Sequence, residues 1–555
     1  MNFPDRIRAE LRRAARSLGA PDDIEPVLER PRDPALGDWA TNLAMVLARS
    51  LKRKPIEIAQ ALKDVLSLAG AGVDRVEIAG PGFMNFRLDP ATVASVVPEI
   101  LDADRAYGTS RVGEGKPVVV EFVSANPTGP LHVGHGRQAA LGDAIATLLE
   151  RTGWGVSREF YYNDAGAQIE NLARSVQAHL DARGDAAQIP EGGYHGEYVG
   201  EIAARYRETA THRIATDTGS SATSAESLTH VREFAVQALR AEQDLDLKAF
   251  GVQFDTYYLE SSLYADGKVE ETVRRLVTNG ATYDAEGALW LRTTPYGDDK
   301  DRVMRKGDGT YTYFVPDIAY HVTKWQRGFT RAVNVQGADH HGTTTRVRAG
   351  LQALDMGIPE GYPEYVLHQL VTVVKHGEEV KISKRAGSYV TVRDLIDWVG
   401  RDAVRYFFLM RKGESPLVFD VDLARTQSDE NPVYYVQMAH ARMCGIFRVG
   451  EVDRETFHPS GIDCSVLTTP EEQALIKELL EFPALVAGAA EALEPHRVIN
   501  YLMETARLAH LWYHKHHVLG EPPRVMQPRL ALARATQIVL RNALSLLGIS
   551  APERM

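Results

Sequence analysis

Residues 118–162 constrain the fold more than any other part of the sequence, because they combine two buried strands with one helix. Residues 118–123 form a nearly continuous β-branched and apolar run, which is typical of a strand buried on both faces of a parallel sheet. A Gly- and Pro-rich turn follows, then a helix with apolar residues from Ala140 to Leu149, and a second strand at 156–162. This order predicts a right-handed βαβ unit and a doubly wound, Rossmann-type α/β fold with a parallel sheet.

The chain has 555 residues, 44% of them apolar, and is too long for one hydrophobic core, so several domains are expected. Short strands joined by glycine and proline predict an N-terminal α+β domain at 1–110. The α/β domain is expected at 111–405, with a polar insertion at about 182–250. Residues 406–430 are expected to connect it to an all-α C-terminal domain at 431–555, where a capping box and amphipathic patterns predict helices.

Composition excludes several classes of protein. No apolar run approaches the roughly eighteen residues of a membrane span, and the N-terminus lacks the apolar core of a signal peptide. We therefore expect a cytoplasmic protein that has no membrane partner. The two cysteines, Cys444 and Cys464, are far apart and have no further cysteine at zinc-ligand spacing, so neither a disulfide framework nor a protein-bound zinc is expected.

The charge distribution leaves the question of a nucleic-acid partner open. The formal charge of −11 disfavours such a partner, because polyanion binding is driven largely by phosphate neutralisation. From residue 497 onward, however, eight lysines and arginines stand against only three glutamates. This local excess favours a partner such as RNA that touches part of the surface, and a solvated charged face explains the tail equally well by itself.

His132 and His135 lie between the first strand and its helix, where an open α/β sheet binds its ligands. A helix N-terminus favours a polyphosphate, two imidazoles three residues apart can donate to phosphate oxygens, and Gly134 lets a nucleotide approach the backbone. Alone, the two histidines could merely cap the helix or bind a metal, although no carboxylate or cysteine completes a metal site at close spacing. The expected ATP contacts of this turn are Pro130, Leu131, Gly134 and Gly136.

Lys381 and Lys384 belong to a second motif, a basic loop that also contains a serine and a glycine. Two ammonium groups three residues apart can stabilise the pyrophosphate that leaves when the α-phosphorus of ATP is attacked. We therefore expect both lysines to be catalytic, and Ile382 and Ser383 to contact ATP. Taken alone, such a loop is more often a solvated basic turn.

The two motifs, in this order and about 250 residues apart, resemble the HIGH and KMSKS motifs of class I aminoacyl-tRNA synthetases. The resemblance covers essentially the whole chain and is greatest to the arginyl-tRNA synthetases, in segments 120–130, 161–166, 194–198, 313–321 and 337–342. It implies L-arginine, tRNA(Arg) and ATP with its bound Mg²⁺ as partners, a monomer, and transfer of arginine to a 2′-hydroxyl. It also implies that the N-terminal domain contacts the tRNA elbow and that the C-terminal domain binds the anticodon.

A guanidinium group is a planar fork of donors and needs carboxylates placed to accept from it. Glu121, inside an otherwise apolar strand, and Asp317, in an aromatic setting, are the expected acids, and the resemblance implies the same two residues. Glu121 could instead pair within the protein, with Lys116 or Arg158. The remaining expected arginine contacts are Ser124, Asn126, Tyr313, Asp339 and His340.

Three other functions compete with this interpretation. The first is a class I synthetase for another amino acid such as cysteine, which the absence of zinc-ligand cysteines disfavours. The second is a small-molecule nucleotidyltransferase, which needs no basic helical tail. The third is a non-catalytic tRNA-binding relative, which the presence of both the histidine motif and the lysine motif disfavours.

Overall fold

The computed structural model describes residues 3–31, 33–164, 166–182, 186–214, 224–380, 389–458 and 460–555. The N-terminal region is α+β, as predicted, with a three-stranded antiparallel sheet in the order β1-β3-β2 and helices packed against it. Its strands are β1 (Trp39–Thr41), β2 (Val73–Ala79) and β3 (Phe83–Leu88). Its helices are α1 (Phe3–Ser17), α2 (Leu43–Leu51), α3 (Pro55–Val65), α4 (Pro90–Ala94) and α5 (Val96–Ala103).

The central region is an α/β structure that begins with the predicted βαβ unit. Its strands are β4 (Pro117–Glu121), β5 (Gly155–Tyr162), β6 (Thr256–Leu259), β7 (Thr282–Ala285), β8 (Ala288–Leu291), β9 (Arg302–Arg305), β10 (Arg331–Gly337), β11 (Glu364–His368), β12 (Val371–Lys375), β13 (Glu378–Glu379) and β14 (Leu417–Asp420). Its helices are α6 (Val133–Arg151), α7 (Ala167–Asp181), α8 (Glu197–Ile214), α9 (Ser224–Ala249), α10 (Glu260–Ala265), α11 (Lys268–Thr278), α12 (Phe314–Gln326), α13 (His341–Ala353), α14 (Val392–Val399), α15 (Arg401–Leu409) and α16 (Val421–Arg425).

Five parallel strands form the main sheet, in the order β11-β10-β4-β5-β6. Strand β4 lies in the middle, and its valines 118–120 are fully buried, as the apolar run predicted. The chain proceeds from β4 to β5 and β6 on one side, whereas β10 and β11 lie on the other side. The carboxyl ends of β4 and β10 therefore flank the topological switch point, where doubly wound sheets bind ligands.

Two smaller sheets were not predicted. Strands β7, β8 and β9 form an antiparallel sheet, and β12 pairs with both β13 and β14. Their strands have two to five residues, too few for an alternating pattern to stand out. The predicted polar insertion contains α8 and α9, which share with α7 an apolar cluster of their own.

The C-terminal region is all-α, as predicted, with helices α17 (Pro432–Val449), α18 (Pro470–Ala492), α19 (His496–Lys515) and α20 (Pro523–Leu546). Helix α18 begins with the expected capping box, in which the Thr469 side chain accepts from the backbone of Glu472 and the Glu472 side chain accepts in return. Within the described residues, no helix is long and apolar enough to cross a membrane.

Arg405 joins the central and C-terminal regions from a fully buried position on α15. Its guanidinium donates to Asp143 Oδ2 on α6 at 2.6 Å, to the Leu547 carbonyl after α20 at 2.7 Å, and to the Phe250 carbonyl after α9 at 3.3 Å. A buried guanidinium needs acceptors inside the protein, and here each of its three nitrogens donates to one. One side chain therefore fixes the helix of the histidine motif relative to the C-terminal helices.

We expect Arg405→Met to lower the free energy of unfolding by about 3 kcal/mol, because a buried carboxylate and two carbonyls lose their donor. The midpoint of the first urea-induced unfolding transition measures this loss. Arg401→Met is the matched control on the same helix, since Arg401 is half-exposed and forms a surface ion pair with the adjacent Asp402. Its loss should stay below about 1 kcal/mol, and equal losses in the two variants would contradict the structural role of Arg405.

Candidate active site

The turn after β4 is held in an unusual backbone conformation. Val123 and Ser124 have φ of 68° and 39°, in the left-handed region that such side chains rarely adopt, so the strand ends two residues earlier than predicted. The Ser124 amide donates to the Phe122 carbonyl at 2.9 Å. The Ser124 hydroxyl donates to Glu121 Oε1 at 2.9 Å and accepts from the Tyr161 amide at 3.2 Å. Backbone strain of this kind concentrates at functional sites, where surrounding bonds stabilise it.

The inserted helices support the same turn. Gln243 on α9 is buried, and its Nε2 donates to the carbonyls of Asn126 at 3.2 Å and Gly129 at 2.9 Å. Asn126 donates through Nδ2 to Gln168 Oε1 at 2.6 Å. The polar insertion is thus not a separate appendage, because it fixes the loop that leads to the histidine motif.

His132 and His135 form the N-terminal cap of α6. His132 Nδ1 accepts from the amides of Gly134 at 3.1 Å and His135 at 3.4 Å, and His135 Nδ1 accepts from the His132 amide at 3.4 Å. The two rings stack with centroids 3.7 Å apart. Because each Nδ1 accepts, each neutral imidazole carries its proton on Nε2, where it is a donor. The capping alternative is therefore realised, and it presents two N–H donors at the positive end of a helix.

Two glycines of this motif are required by packing. A Cβ on Gly134 would lie 2.9 Å from the His132 ring, and a Cβ on Gly136 would lie 2.9 Å from both Phe408 and Val392. Gly136 is buried, so its small size serves the contact of α6 with α14 and α15. The sequence had suggested nucleotide contact as the reason for both glycines, and the structure supplies a packing reason that is independent of any ligand.

The lysine motif, with Lys381, Ile382, Ser383 and Lys384, lies outside the described residues. The chain is described again from Tyr389, whose ring lies 6.3 Å from that of His132 and whose hydroxyl donates to the Pro130 carbonyl at 3.4 Å. The backbones also join here: the Val392 amide donates to the carbonyl of buried Leu131 at 2.8 Å. The segment that follows the lysine motif is therefore bonded directly to the histidine motif.

A cavity of about 650 Å³ opens at the switch point and contains three carboxylates, Glu121, Glu260 and Asp317. These acids come from the end of β4, the start of α10 and the first turn of α12. Five further predicted arginine contacts were Ser124, Asn126, Tyr313, Asp339 and His340; all but Asp339 line this cavity. Asp339 does not line it; its side chain is 83% exposed and lies 3.8 Å from His340.

Asp317 is partly buried in the cavity wall and has no ion-pair partner within the described residues. Burial, followed by the negative charges of Glu260 and Glu121, raises the pKa of Asp317 to about 7, and Lys324 opposes this shift. Such an acid is stabilised in its charged form when a cation enters the cavity. The geometry therefore favours a cationic ligand at this carboxylate.

Glu121 is paired within the protein, but not with either partner considered from the sequence. Lys116 pairs with Glu114, and Arg158 pairs with Asp143 and Glu150. The partner of Glu121 is Lys324, whose Nζ lies 2.6 Å from Glu121 Oε2.

Glu260 was missed by the sequence analysis. Its Oε2 accepts from the Tyr161 hydroxyl at 2.9 Å, and burial raises its pKa. Like Glu121, it stands at the carboxyl end of a parallel strand, which is a usable signal. That signal was lost because β6 has only four residues, all of them partly buried, and was not predicted.

Within the described residues, no group of three or more histidine, cysteine, aspartate and glutamate side chains could hold a metal ion.

Most cations of the basic C-terminal tail form ion pairs with acids of the same protein. Six of its eight cations have an acidic partner: Arg497, Arg507, Lys515, Arg529, Arg534 and Arg541. The count of basic residues therefore overstated the positive field available to RNA.

Three family models match the chain. Residues 4–88 match the arginyl tRNA synthetase N terminal domain, residues 96–407 the class I (R) tRNA synthetase catalytic domain, and residues 436–555 the DALR anticodon binding domain. The arginine–tRNA ligase of Geotalea daltonii is 56% identical over 541 residues, which cover 97% of this chain and 96% of that protein. The arginine–tRNA ligase of Herminiimonas arsenicoxydans is 54% identical over 575 residues, 99% of each chain.

The solved structure of the Thermus thermophilus arginyl-tRNA synthetase has the same fold, with a TM-score of 0.75 over 99% of this chain and 100% of that one at 24% identity. The catalytic-domain match alone spans more than half of the residues, and it contains the histidine turn and all three cavity acids. The family models and the full-length relatives agree. The chain thus belongs to the arginyl-tRNA synthetases, the class I synthetases that are arginine–tRNA ligases.

Proposed function

We propose that this chain activates L-arginine with ATP, giving arginyl-adenylate and pyrophosphate, and then transfers arginine to the 2′-hydroxyl of the terminal adenosine of tRNA(Arg), releasing AMP. The observation that carries this proposal is the cavity with three carboxylates beside the histidine turn. Several carboxylates in one cavity suit a ligand that has two cationic groups, a guanidinium at one end and an ammonium at the other. The reacting carboxylate of that ligand would then face the nucleotide.

The guanidinium is held by Asp317 and Glu260, with Tyr313 beside the side chain. Glu121 already has an internal cation, and it is bonded to the turn that leads to the histidines. Glu121, Ser124 and Asn126 therefore serve the α-amino end. The ammonium group of lysine lacks the planar set of N–H donors of a guanidinium, so bound lysine would leave carboxylate oxygens of the site unpaired. A polar site rejects such a ligand by roughly 10⁴-fold, so no separate editing site is needed.

ATP lies across the N-terminus of α6. The Nε2 protons of His132 and His135 donate to phosphate oxygens there, and Lys381 and Lys384 stabilise the leaving pyrophosphate. Pro130, Leu131, Gly134, Ile382 and Ser383 are the further nucleotide contacts. Gly136 acts through packing, since it is buried under Phe408. Magnesium enters as part of the ATP substrate.

The domains divide the work as follows in this proposal. The N-terminal domain, residues 1–110, contacts the tRNA elbow, and the catalytic domain, residues 111–405, carries out both chemical steps. Residues 406–430 connect the catalytic domain to the C-terminal domain, residues 431–555, which binds the anticodon. The enzyme acts as a cytoplasmic monomer, and the family resemblance implies that adenylate formation requires bound tRNA.

The function is tested by ATP–pyrophosphate exchange with each of the twenty amino acids, with and without tRNA(Arg). Of the twenty amino acids, we expect only arginine to support exchange, and we expect this exchange only when tRNA(Arg) is present. Lys384→Ala is the control for chemistry: it should lower the exchange rate about a hundredfold or more while arginine binding stays nearly normal. Exchange with another amino acid, or full activity of the variant, would refute the proposal.

Arginine binding is expected to depend on pH through Asp317, whose pKa is raised to about 7. The guanidinium of arginine stays cationic over the whole range and binds the ionised carboxylate, so the affinity should level off near pH 8 and fall by up to about tenfold for each pH unit below 6. Equilibrium dialysis with labelled arginine measures this profile. Asp317→Asn should weaken binding about a hundredfold and flatten the profile; an unchanged profile would remove Asp317 from guanidinium recognition.

A further inference from the structure

Lys324 is a fully buried cation directly behind the acidic cavity. It lies on α12 seven residues after Asp317, on the face that also carries Tyr320 and His321. Unlike those three residues, Lys324 is not among the side chains that line the cavity. A buried lysine without contact to the ligand space raises the question of what it stabilises.

The contacts of Lys324 are those of a fixed counter-ion. Its Nζ donates to Glu121 Oε2 at 2.6 Å and to Asn334 Oδ1 at 3.1 Å, and it lies 4.3 Å from the centre of the Tyr320 ring. Glu121 Oε1 accepts from Ser124 at the same time. Both oxygens of Glu121 are therefore bonded, and the carboxylate has one orientation.

The network continues to the backbone of Asp317. Asn334 Nδ2 donates to His321 Nε2 at 2.8 Å, and His321 Nδ1 donates to the Asp317 carbonyl at 2.8 Å. Burial lowers the pKa of His321 to about 3, so this ring is neutral and can accept at Nε2. A single chain of hydrogen bonds thus joins Lys324 to both acids predicted from the sequence.

A cation behind a cation-binding site reduces the net negative charge of that site. The three cavity acids, when ionised, carry three negative charges, of which Lys324 compensates one; Arg302, which pairs with Asp298, and Arg346 also line the cavity. Without Lys324 the same groups would carry one more negative charge in a partly buried space, where each carboxylate disfavours ionisation of the others. Without Lys324 the Glu121 carboxylate would also lose one of its bonds, and a mobile carboxylate discriminates poorly between ligands of different geometry.

We propose that Lys324 is a positioning residue for arginine recognition, which acts through Glu121 by fixing its carboxylate in the cavity wall and cancelling one of the three acidic charges. This inference rests on the arginine site described under the proposed function. It assigns Lys324 no contact with arginine, ATP or tRNA.

Any titration effect of Lys324 on Asp317 must be separated from those of the other groups nearby. Burial is the largest cause that raises the pKa of Asp317, the charges of Glu260 and Glu121 raise it further, and Lys324 lowers it. The remaining charged or titratable groups around the cavity are Tyr161, Tyr264, Arg302, Tyr313, Tyr320, His321, His340, Arg346 and Tyr365. None of these nine is altered in the test below.

The test is a double-mutant cycle on the full chain, with Lys324→Met, Glu121→Gln and the double variant. Equilibrium dialysis with labelled L-arginine gives the dissociation constant from pH 5.5 to 9. At pH 8.5, each single variant should weaken binding about tenfold, and the double variant should be within about twofold of Glu121→Gln, because Lys324 has nothing left to position. The pH midpoint of binding should rise in Lys324→Met, fall in Glu121→Gln, and return near the wild-type value in the double variant.

Arg327→Met is the matched control for loss of a buried ion pair. Arg327 lies one residue beyond Gln326, the last residue of α12, and donates to Glu159 at 2.6 and 2.9 Å, but neither partner lines the cavity. Its removal should lower stability and leave both the dissociation constant and its pH midpoint unchanged. A merely structural Lys324 would behave in the same way.

The inference is overturned if Lys324→Met binds arginine with the wild-type constant and midpoint, or if the losses of the two single variants multiply in the double variant. If Lys324→Met does not fold, the dissociation constants of Glu121→Gln and the double variant decide between the two outcomes. The double variant is expected to fold because it contains no unpaired buried charge at this pair. If the wild-type protein bound no arginine, the proposed function would be overturned as well. If the wild-type protein bound arginine and Lys324→Met had the same dissociation constant and pH midpoint, only this inference would be overturned.

Discussion

The carboxyl end of β4 is the place on which the rest of the structure depends. The sheet grows in opposite directions from this strand, so the backbone must leave the sheet here and open a crevice. Glu121 is the last residue of the strand, and the strained turn at Val123 and Ser124 leads from it to the two stacked histidines. One strand exit therefore places an acid in the cavity wall and leads to two imidazoles at the N-terminus of α6.

Charge compensation explains how the acids can share one cavity. Burial is the first cause of the raised pKa values of Asp317 and Glu260, and for Asp317 the negative charges of Glu260 and Glu121 add to it, so holding both acids ionised in one cavity costs free energy. The cost is offset by Lys324, which neutralises Glu121 from behind, and by the Tyr161 hydroxyl on Glu260. The same principle applies in the C-terminal region, where most basic side chains bind acids of the protein itself. Much of the positive charge there is compensated within the C-terminal helices, and among the described residues only Lys477, Arg534 and Arg541 reach acids of the N-terminal region.

The sequence predicted features that are local along the chain. The βαβ unit, the histidine turn and the Thr469 capping box each lie within a few dozen consecutive residues, and each was found as predicted. Features that join distant segments were not predictable. Glu121 and Lys324 are 203 residues apart, and Arg541 reaches Asp104 over 437 residues. Pattern alone cannot select such partners, because any buried acid can in principle pair with any cation that the fold brings near.

Recognition of a guanidinium by carboxylates is the central claim, and competition between L-arginine and L-citrulline tests it most directly. Citrulline has nearly the same shape but replaces the cation with a neutral urea group. In calorimetric titrations of the full-length protein at pH 8, we expect arginine to bind at least about a thousandfold more tightly, since the ionised Asp317 loses its counter-charge with citrulline. Dissociation constants within threefold of each other would contradict the claim that the cavity acids select the amino acid.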